Sequence, residues 1–126
     1  MSRRTVPRVG IDLVDVARIR RLAWRFGRGG LARLFTAREL DYAYASSRLC
    51  YQRLAARLAA KEAFIKAWGV PVPLRKIEVV KREGVPFIHH AGYDYPVSIS
   101  HTKEIAVAVT AWETSGRGPQ ARPQGR

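Results

Sequence analysis

Two acidic side chains far apart in the chain, Asp12 and Glu62, have neighbours that suit metal and phosphate chemistry. Asp12 lies in VGIDLVD, and Glu62 lies in RLAAKEAFIKAWG beside Arg57, Lys61 and Lys66. Two carboxylates suit Mg²⁺, which keeps several waters and takes its other ligands from substrate phosphates. The three cations could neutralise phosphate charge. If the acids meet in the fold, they form a site for metal-bridged pyrophosphate, although acids beside bases also describe any salt-bridged surface.

Glu62 occupies an unusual position on its own predicted helix. Residues three or four apart lie on one helix face, and Glu62 falls four after Leu58 and three before Ile65. An ionised carboxylate buried without partners is costly, so it needs a cation, hydrogen bonds or an opening to solvent. The simplest interpretation is an ion pair with Lys66 at the margin of the apolar face, worth about 0.3–0.5 kcal/mol.

Length and composition indicate one domain with an anionic partner. The 126 residues are 47% hydrophobic, without an apolar run as long as a membrane span. The single Cys50 can form neither an internal disulfide nor a cysteine-rich zinc site, so we expect a reducing, cytoplasmic setting. A net charge of +13 suits nucleic acid, a phosphorylated cofactor or an acidic protein. Residues 1–113 are expected to form the domain, and residues 114–126 a disordered basic tail.

The periodicity predicts a strand, three helices and four further strands, an α+β domain with the helices packed on a mainly antiparallel sheet. In the first strand, Val9, Ile11 and Leu13 alternate with polar or small residues, so they are predicted to face the core and Asp12 to point away from it. KIEVVKREGVPFI is predicted to be a hairpin turned near residues 83–84, with Pro86 favouring an edge position. PVSISH and IAVAVTAW are the last two strands.

The first helix is predicted to be amphipathic. Asp15 is placed to cap the helix N-terminus. The apolar face of the helix is predicted to run from Val16 through Ile19 and Ala23 to Phe26. Arginines repeat the same offsets about 200° away, at Arg18, Arg21, Arg25 and Arg28. A solvated face is the ordinary meaning of such a row, but four arginines without interleaved acids are unusual for solubility alone, so a docking surface for an acidic helix or a phosphate backbone is the functional alternative.

The other two helices have recognisable ends. Thr36 and Glu39 have capping-box spacing at the start of the second helix. The third is predicted from about residue 49 to Trp68, and it stops at Gly69 with Pro71 beyond. Among the histidines, His101 ends a strand at a tight turn, whereas the histidines at 89 and 90 fit structural or solvated roles better. The sequence has neither a Walker-type phosphate loop nor a nucleophile elbow.

Three ordered segments carry a family resemblance, namely GIDLVDVARI, RLAAKEAFIKAWG and SISHTKEIAVAV. In this order and at these separations they resemble the holo-[acyl-carrier-protein] synthases, the small bacterial 4′-phosphopantetheinyl transferases. The resemblance runs from about Val9 to Trp112. It implies the fold of that family, one subunit of a trimer, and transfer of the phosphopantetheine arm of coenzyme A to a serine of an apo acyl carrier protein. Adenosine 3′,5′-bisphosphate is the implied second product.

The resemblance also implies roles for individual residues. Asp12 and Glu62 match the family's Mg²⁺ ligands, and both are implied catalytic residues together with Lys66. Lys66 is the implied pyrophosphate contact. Glu62, through a metal-bound water, is the first candidate for the base that accepts the serine proton, ahead of Asp12 and His101. Further coenzyme contacts are expected at Arg57, Lys61 and His101, and carrier-protein contacts at Arg18, Arg21 and Arg25.

Two features depart from the family pattern. GVPVPL follows the third helix where the family usually has a glycine-rich loop, and the connection from Phe87 to Val97 is short. Two alternatives therefore stand beside the enzyme. One is a basic nucleic-acid-binding module that uses the arginine row, Trp24 and the tail. The other is a binding protein that keeps the fold without turnover. Under the enzyme hypothesis no membrane or nucleic-acid partner is expected, and the carrier could serve fatty acid, polyketide or peptide synthesis.

Overall fold

The computed structural model of the protein describes residues 5–114, so nearly all of the predicted tail lies outside the described residues. The chain is an α+β domain, as predicted. Its elements in order are β1 (Val6–Asp15), α1 (Val16–Leu31), α2 (Ala37–Tyr44), α3 (Cys50–Trp68), a 3₁₀ turn (Leu74–Lys76), β2 (Glu78–Arg82), β3 (Val85–His90), β4 (Tyr93–His101) and β5 (Ile105–Thr114). The strands form one antiparallel sheet in the order β1-β5-β4-β3-β2. No helix among residues 5–114 is long and apolar enough to cross a membrane.

Helix α3 is the centre of the fold and is buried on nearly every side. It packs mainly against β1 and β5. Its many alanines allow a close approach to the sheet, and Gly10 completes the fit, because a Cβ atom at Gly10 would lie 1.8 Å from the carbonyl oxygen of Ala63. Only glycine can occupy this position without moving the helix away from the strand.

The predicted orientation of β1 is wrong. Gly10 and Val14 are buried on the side that faces α3, whereas Val9, Ile11 and Leu13 are 63%, 58% and 63% exposed. Side chains alternate across a strand, so the small Gly10 selects the face that the helix covers, and the larger apolar side chains lie on the open face. Asp12, expected to point away from the core, therefore points towards α3.

Helix α1 follows β1 without a loop, and Asp15 occupies the predicted N-cap position but makes no side-chain capping bond. The first backbone N–H is instead used by the turn before β5, since Val16 N donates to Glu104 O at 2.8 Å. The helix bends at Gly27, whose φ of 67° is left-handed. Phe26 lies just before the bend and is 55% exposed, so its predicted place on the buried face is wrong.

The other predicted helix and turn signals are confirmed. The capping box of α2 has both of its bonds, from Thr36 N to Glu39 Oε1 and from Glu39 N to Thr36 Oγ1. Helix α3 ends at Gly69, which has a φ of 92°.

Pro86 lies in β3, an inner strand rather than the predicted edge strand. The proline is tolerated there because the pairing of β3 with β4 begins one residue later, at Phe87.

Candidate functional site

Asp12 and Glu62 meet where β1 crosses α3. Their side chains are 12% and 27% exposed, and the two carboxyl groups are close enough to share a hydrogen bond. Within the described chain, the second oxygen of Asp12, Oδ2, is buried and has no other hydrogen-bond partner. The fold therefore brings together the two acids that the sequence singled out, 50 positions apart, and leaves an oxygen for a further ligand.

Two cations hold these acids. Lys66 Nζ lies 2.8 Å from Asp12 Oδ1 and 3.0 Å from the carbonyl oxygen of Ile11. Arg18 Nη2 lies 3.6 Å from Glu62 Oε1. The simple ion pair between Glu62 and Lys66 is therefore wrong, because Lys66 reaches across to β1 and a residue of α1 serves Glu62. Three elements, β1, α1 and α3, supply the four charged groups.

The environment of Glu62 favours its protonated form. Burial raises its pKa, and the hydrogen bond to Asp12 and the negative charge of Asp12 raise it further, to about 7. Arg18 and Lys66 act in the opposite direction but do not cancel this rise. Two ionised carboxylates in contact repel one another, so near neutral pH the pair either shares a proton or takes up a cation.

The donor set fits a hard divalent cation. Asp12 Oδ2 lacks a partner and Glu62 is held beside it, and carboxylate oxygens are the ligands that Mg²⁺ takes. No group of three or more histidine, cysteine, aspartate or glutamate side chains converges anywhere in residues 5–114. A site with only two protein ligands suits an ion that completes its coordination with water and substrate phosphate.

Lys61 does not join this site, contrary to the sequence-based expectation of a coenzyme contact. Its side chain is fully buried and forms an ion pair with the equally buried Glu39. Its ammonium group also donates to the carbonyl oxygens of Leu34 at 2.8 Å and Leu74 at 3.2 Å. With three partners and no exposure, Lys61 holds α3 against α2 and the segment before β2, and it cannot reach a bound ligand.

Arg57 and His101 line a cavity of about 290 Å³ that is strongly cationic. Arg57 is 7% exposed, and its Nε atom lacks a hydrogen-bond partner in the described chain. Arg53, Lys81 and Tyr42 also line the cavity, and none of the residues that line it within positions 5–114 is acidic. Sequence reasoning missed these last three. Arg53 had a usable signal, its position four residues before Arg57, whereas Lys81 and Tyr42 reach the cavity only through the fold.

The arginine face of α1 is exposed as predicted. Arg18, Arg21 and Arg25 line a surface groove of about 900 Å³ together with Trp24, which is 91% exposed. Arg18 alone joins this face to the acidic pair, through its contact with Glu62. The groove and the acidic pair are therefore adjacent, and one partner could contact both.

The remaining histidines have partners away from the acidic pair. His89 Nδ1 lies 2.7 Å from Asp94 Oδ1, and His90 Nδ1 lies 2.9 Å from the carbonyl oxygen of Lys76. The ring of His90 also packs against Phe64, with 5.6 Å between ring centroids. These contacts support the structural interpretation of both residues.

The chain is similar to known proteins in both sequence and fold. Residues 8–110 match the family described as the 4′-phosphopantetheinyl transferase superfamily. The chain is 42% identical over 114 residues to the holo-[acyl-carrier-protein] synthase of Carboxydothermus hydrogenoformans, covering 79% of this chain and 92% of that protein. It is similar to the crystal structure of such a synthase from Bacillus anthracis in complex with CoA (3′,5′-ADP), with a TM-score of 0.72, 32% identity, and coverage of 84% and 95%. The Helicobacter pylori enzyme in complex with coenzyme A gives a TM-score of 0.70 and 28% identity, with coverage of 81% and 96%.

Replacing Glu62 by glutamine should stabilise the metal-free fold at high pH. Because the folded-state pKa of Glu62 is about 7 against an ordinary 4.5, the folded wild type binds more protons than the unfolded chain between these values. Wild-type stability therefore falls as the pH rises through this window, and Glu62→Gln escapes the loss. In urea unfolding with a chelator present, we expect the variant to gain about 2 kcal/mol at pH 8.5 and little at pH 5.

The double variant Asp12→Asn/Glu62→Gln is the control. The repulsion needs both charges, so the second substitution should add little to the first. Equal stability of wild type and Glu62→Gln at both pH values would show that the two carboxyl groups are not coupled in this way.

Proposed function

The chain belongs to the 4′-phosphopantetheinyl transferase superfamily, and on that premise we propose that it transfers the 4′-phosphopantetheine arm of coenzyme A to a serine of an apo acyl carrier protein. The observation that carries the proposal is the contact between Asp12 and Glu62 beside Lys66 and Arg18. A diphosphate needs a divalent cation and further positive charge, and this cluster provides for both.

Asp12 and Glu62 would hold Mg²⁺ in the proposed enzyme. When bound, the ion supplies charge neutralisation to the pyrophosphate of coenzyme A and so reduces the barrier to attack by a nucleophile. Lys66 already contacts Asp12 Oδ1 at 2.8 Å, so its ammonium lies where it can also contact a pyrophosphate oxygen. Lys66 thus has two roles, since it orients one acid and stabilises negative charge on the leaving group.

The reaction makes one bond and breaks one. The serine oxygen bonds to the phosphorus that carries the pantetheine arm, and the bond from that phosphorus to the bridging oxygen breaks. Adenosine 3′,5′-bisphosphate leaves with the bridging oxygen and its electron pair. The serine proton needs an acceptor, and we place it first on Glu62, acting through a water molecule, with Asp12 and His101 as alternatives.

The cationic cavity would receive a phosphate of the nucleotide half of coenzyme A. Arg57 and His101 line it, and both are expected coenzyme contacts. His101 pairs with Ala106 of β5, which pairs with Val14 of β1. Asp12 is two residues before Val14 and lies on the same face of the sheet, so His101 is on that face too, two strands away. Strand spacings put the two positions about 12 Å apart, a separation that an extended nucleotide can bridge. Lys61 has no part in this binding because it is buried.

The arginine face of α1 would bind the carrier protein. Arg21 and Arg25 are exposed, and the charge of the whole chain is +13, which favours an acidic partner. Arg18 would belong both to this surface and to the site, because it contacts Glu62. A carrier docked on α1 would therefore bring its serine towards the acidic pair.

The open face of the sheet would bind other copies of the chain. Val9, Ile11 and Leu13 of β1 lie beside Ile105 and Val109 of β5, and all five are between 39% and 63% exposed. Contiguous exposed apolar surface of this kind marks an interface. We propose that it forms the homotrimer that the family resemblance implies, which would deepen the site.

The family assignment favours this enzyme over a nucleic-acid-binding module. Cytoplasmic location and service to fatty acid biosynthesis stay predictions. The segment after α3 that departs from the family pattern is short, since residues 70–73 lead directly into the 3₁₀ turn.

Incubation of the protein with apo carrier protein, coenzyme A and Mg²⁺ should convert the carrier to its holo form, visible as a mass increase of one phosphopantetheine. Glu62→Gln should reduce the rate at least about 100-fold, because it removes a metal ligand and the first candidate base. The matched Glu104→Gln, an exposed acid in the turn before β5, should keep wild-type turnover. No transfer to any of several carriers would count against the proposed activity, and near-normal turnover by Glu62→Gln would overturn the metal assignment.

The double charge reversal Arg21→Glu/Arg25→Glu should raise the KM for carrier protein about 10-fold or more and leave the KM for coenzyme A unchanged. Both residues are exposed, so folding should be unaffected. Arg75→Glu/Lys76→Glu, a double reversal of two exposed residues in the 3₁₀ turn, controls for the change in net charge. Equal effects of the α1 variant and this control would mean that the carrier responds to overall charge and not to this surface.

Leu13→Glu should break the proposed trimer. Leu13 is 63% exposed in one chain, so a glutamate there costs the isolated fold little but buries a charge at a subunit contact. Sedimentation should show a trimer for wild type and a monomer for the variant, with similar circular dichroism spectra. A wild-type monomer at assay concentrations, or a variant that stays trimeric, would contradict the assignment of this face.

A further inference from the structure

Tyr42, in the last turn of α2, lies among three cations from two other elements. The guanidinium carbons of Arg57 and Arg53 on α3 are 4.1 and 4.3 Å from the centre of its ring, and Lys81 Nζ on β2 is 4.9 Å from it. Lys81 Nζ also donates to the phenol oxygen at 3.0 Å, and Arg53 Nη1 donates to the Tyr42 carbonyl oxygen at 2.8 Å. One residue therefore holds three charged side chains through its ring, its hydroxyl and its backbone.

These three cations are the ones that line the cavity beside His101, and they gather there without an acidic lining residue. Like charges four residues apart on a helix repel, so Arg53 and Arg57 would turn away from one another into solvent without a further interaction. An aromatic ring attracts cations at this distance. The hydrogen bond from Lys81 lowers the pKa of the Tyr42 phenol. Burial acts in the opposite direction, and the charges of Arg57, Lys81 and Arg53 lower the pKa further.

Tyr42 also separates two spaces. Tyr42, Arg57 and Lys81 line both the cavity beside His101 and a neighbouring cavity of about 230 Å³. Arg57 is 7% exposed, and its Nε has no hydrogen-bond partner in the described chain, so this charge is buried before any ligand arrives. A buried guanidinium with a free donor is prepared for an anion, because binding then costs little reorganisation.

We infer that Tyr42 is a positioning residue that fixes Arg53, Arg57 and Lys81 as a preformed receptor for the phosphate monoester of the nucleotide half of coenzyme A. The inference rests on the proposed function for the identity of the ligand. It makes Tyr42 a determinant of specificity, since a nucleotide without the 3′-phosphate gains nothing from the three cations.

Direct binding of adenosine 3′,5′-bisphosphate and of 5′-AMP, measured by calorimetry, tests the inference without turnover. Wild type should prefer the bisphosphate. Tyr42→Leu keeps an apolar side chain but removes the ring and the hydroxyl, and it should weaken bisphosphate binding about 10-fold and 5′-AMP binding less than about 2-fold. Tyr42→Phe keeps the ring and should retain most of the preference, within about 3-fold of wild type.

Transfer kinetics supply a second measurement. Tyr42→Leu should raise the KM for coenzyme A about 10-fold, with kcat within about 2-fold and the KM for 3′-dephospho-coenzyme A unchanged. Tyr51→Leu is the matched control, since it removes a tyrosine whose ring holds Arg20 at 5.5 Å, and it should leave the nucleotide preference intact.

Three outcomes would overturn the inference, namely equal binding of both nucleotides by wild type, full retention of the preference in Tyr42→Leu, or an equal loss of both affinities. The last would mean that Tyr42 only supports the fold. Absence of transfer to every carrier, with the preference and its dependence on Tyr42 intact, would overturn the catalytic proposal and support the positioning role.

Discussion

The close contact between β1 and α3 is the constraint on which the rest of the structure depends. Gly10 has no side chain and Ala63 presents its backbone, so the helix approaches the strand more closely than any larger residue would allow. At that separation, Asp12 and Glu62 can touch, and the approach also buries one oxygen of Asp12 without a partner. In a protein that bound no cation, this contact would lower the stability of the fold once both acids ionise, because two carboxylates in contact repel one another.

Buried charge is used in two distinct ways within a short stretch of α3. Lys61 and Glu39 form a closed ion pair, and nothing is left for a ligand because their remaining bonds go to Leu34, Thr36, Leu74 and Val79. The neighbouring Glu62 has incomplete pairing and partial exposure. The Lys61–Glu39 pair fixes α3 against α2 and β2. Glu62 keeps a carboxyl group that is not fully paired and can bind a ligand. Adjacent positions in the sequence thus face a structural site and a candidate functional site, because successive helical residues point about 100° apart.

The sheet shows the same division between its two faces. One face is covered by α3 and contributes the acid of β1 and the histidine at the end of β4. The other is open and carries the apolar side chains of β1 and β5. A single helix layer cannot cover both faces, so apolar side chains on the open face stay exposed within residues 5–114. The proposed assembly and the proposed chemistry therefore both follow from which face α3 covers.

The sequence by itself determined the element order, the start of α2, the end of α3, the exposed arginines of α1 and the two acids, because capping, glycine stops and charge spacing are local. It also carried the three segments that identify the family. Only the tertiary structure decided which face of β1 is buried, since alternation gives two faces but not the one that the helix covers. The fates of Lys61 and Arg57 were likewise open, because both are basic residues on one helix and only the elements packed around them make one a closed pair and the other part of a cavity. Tyr42 and Lys81 gave no local signal, since they meet Arg53 and Arg57 only when α2, α3 and β2 pack together.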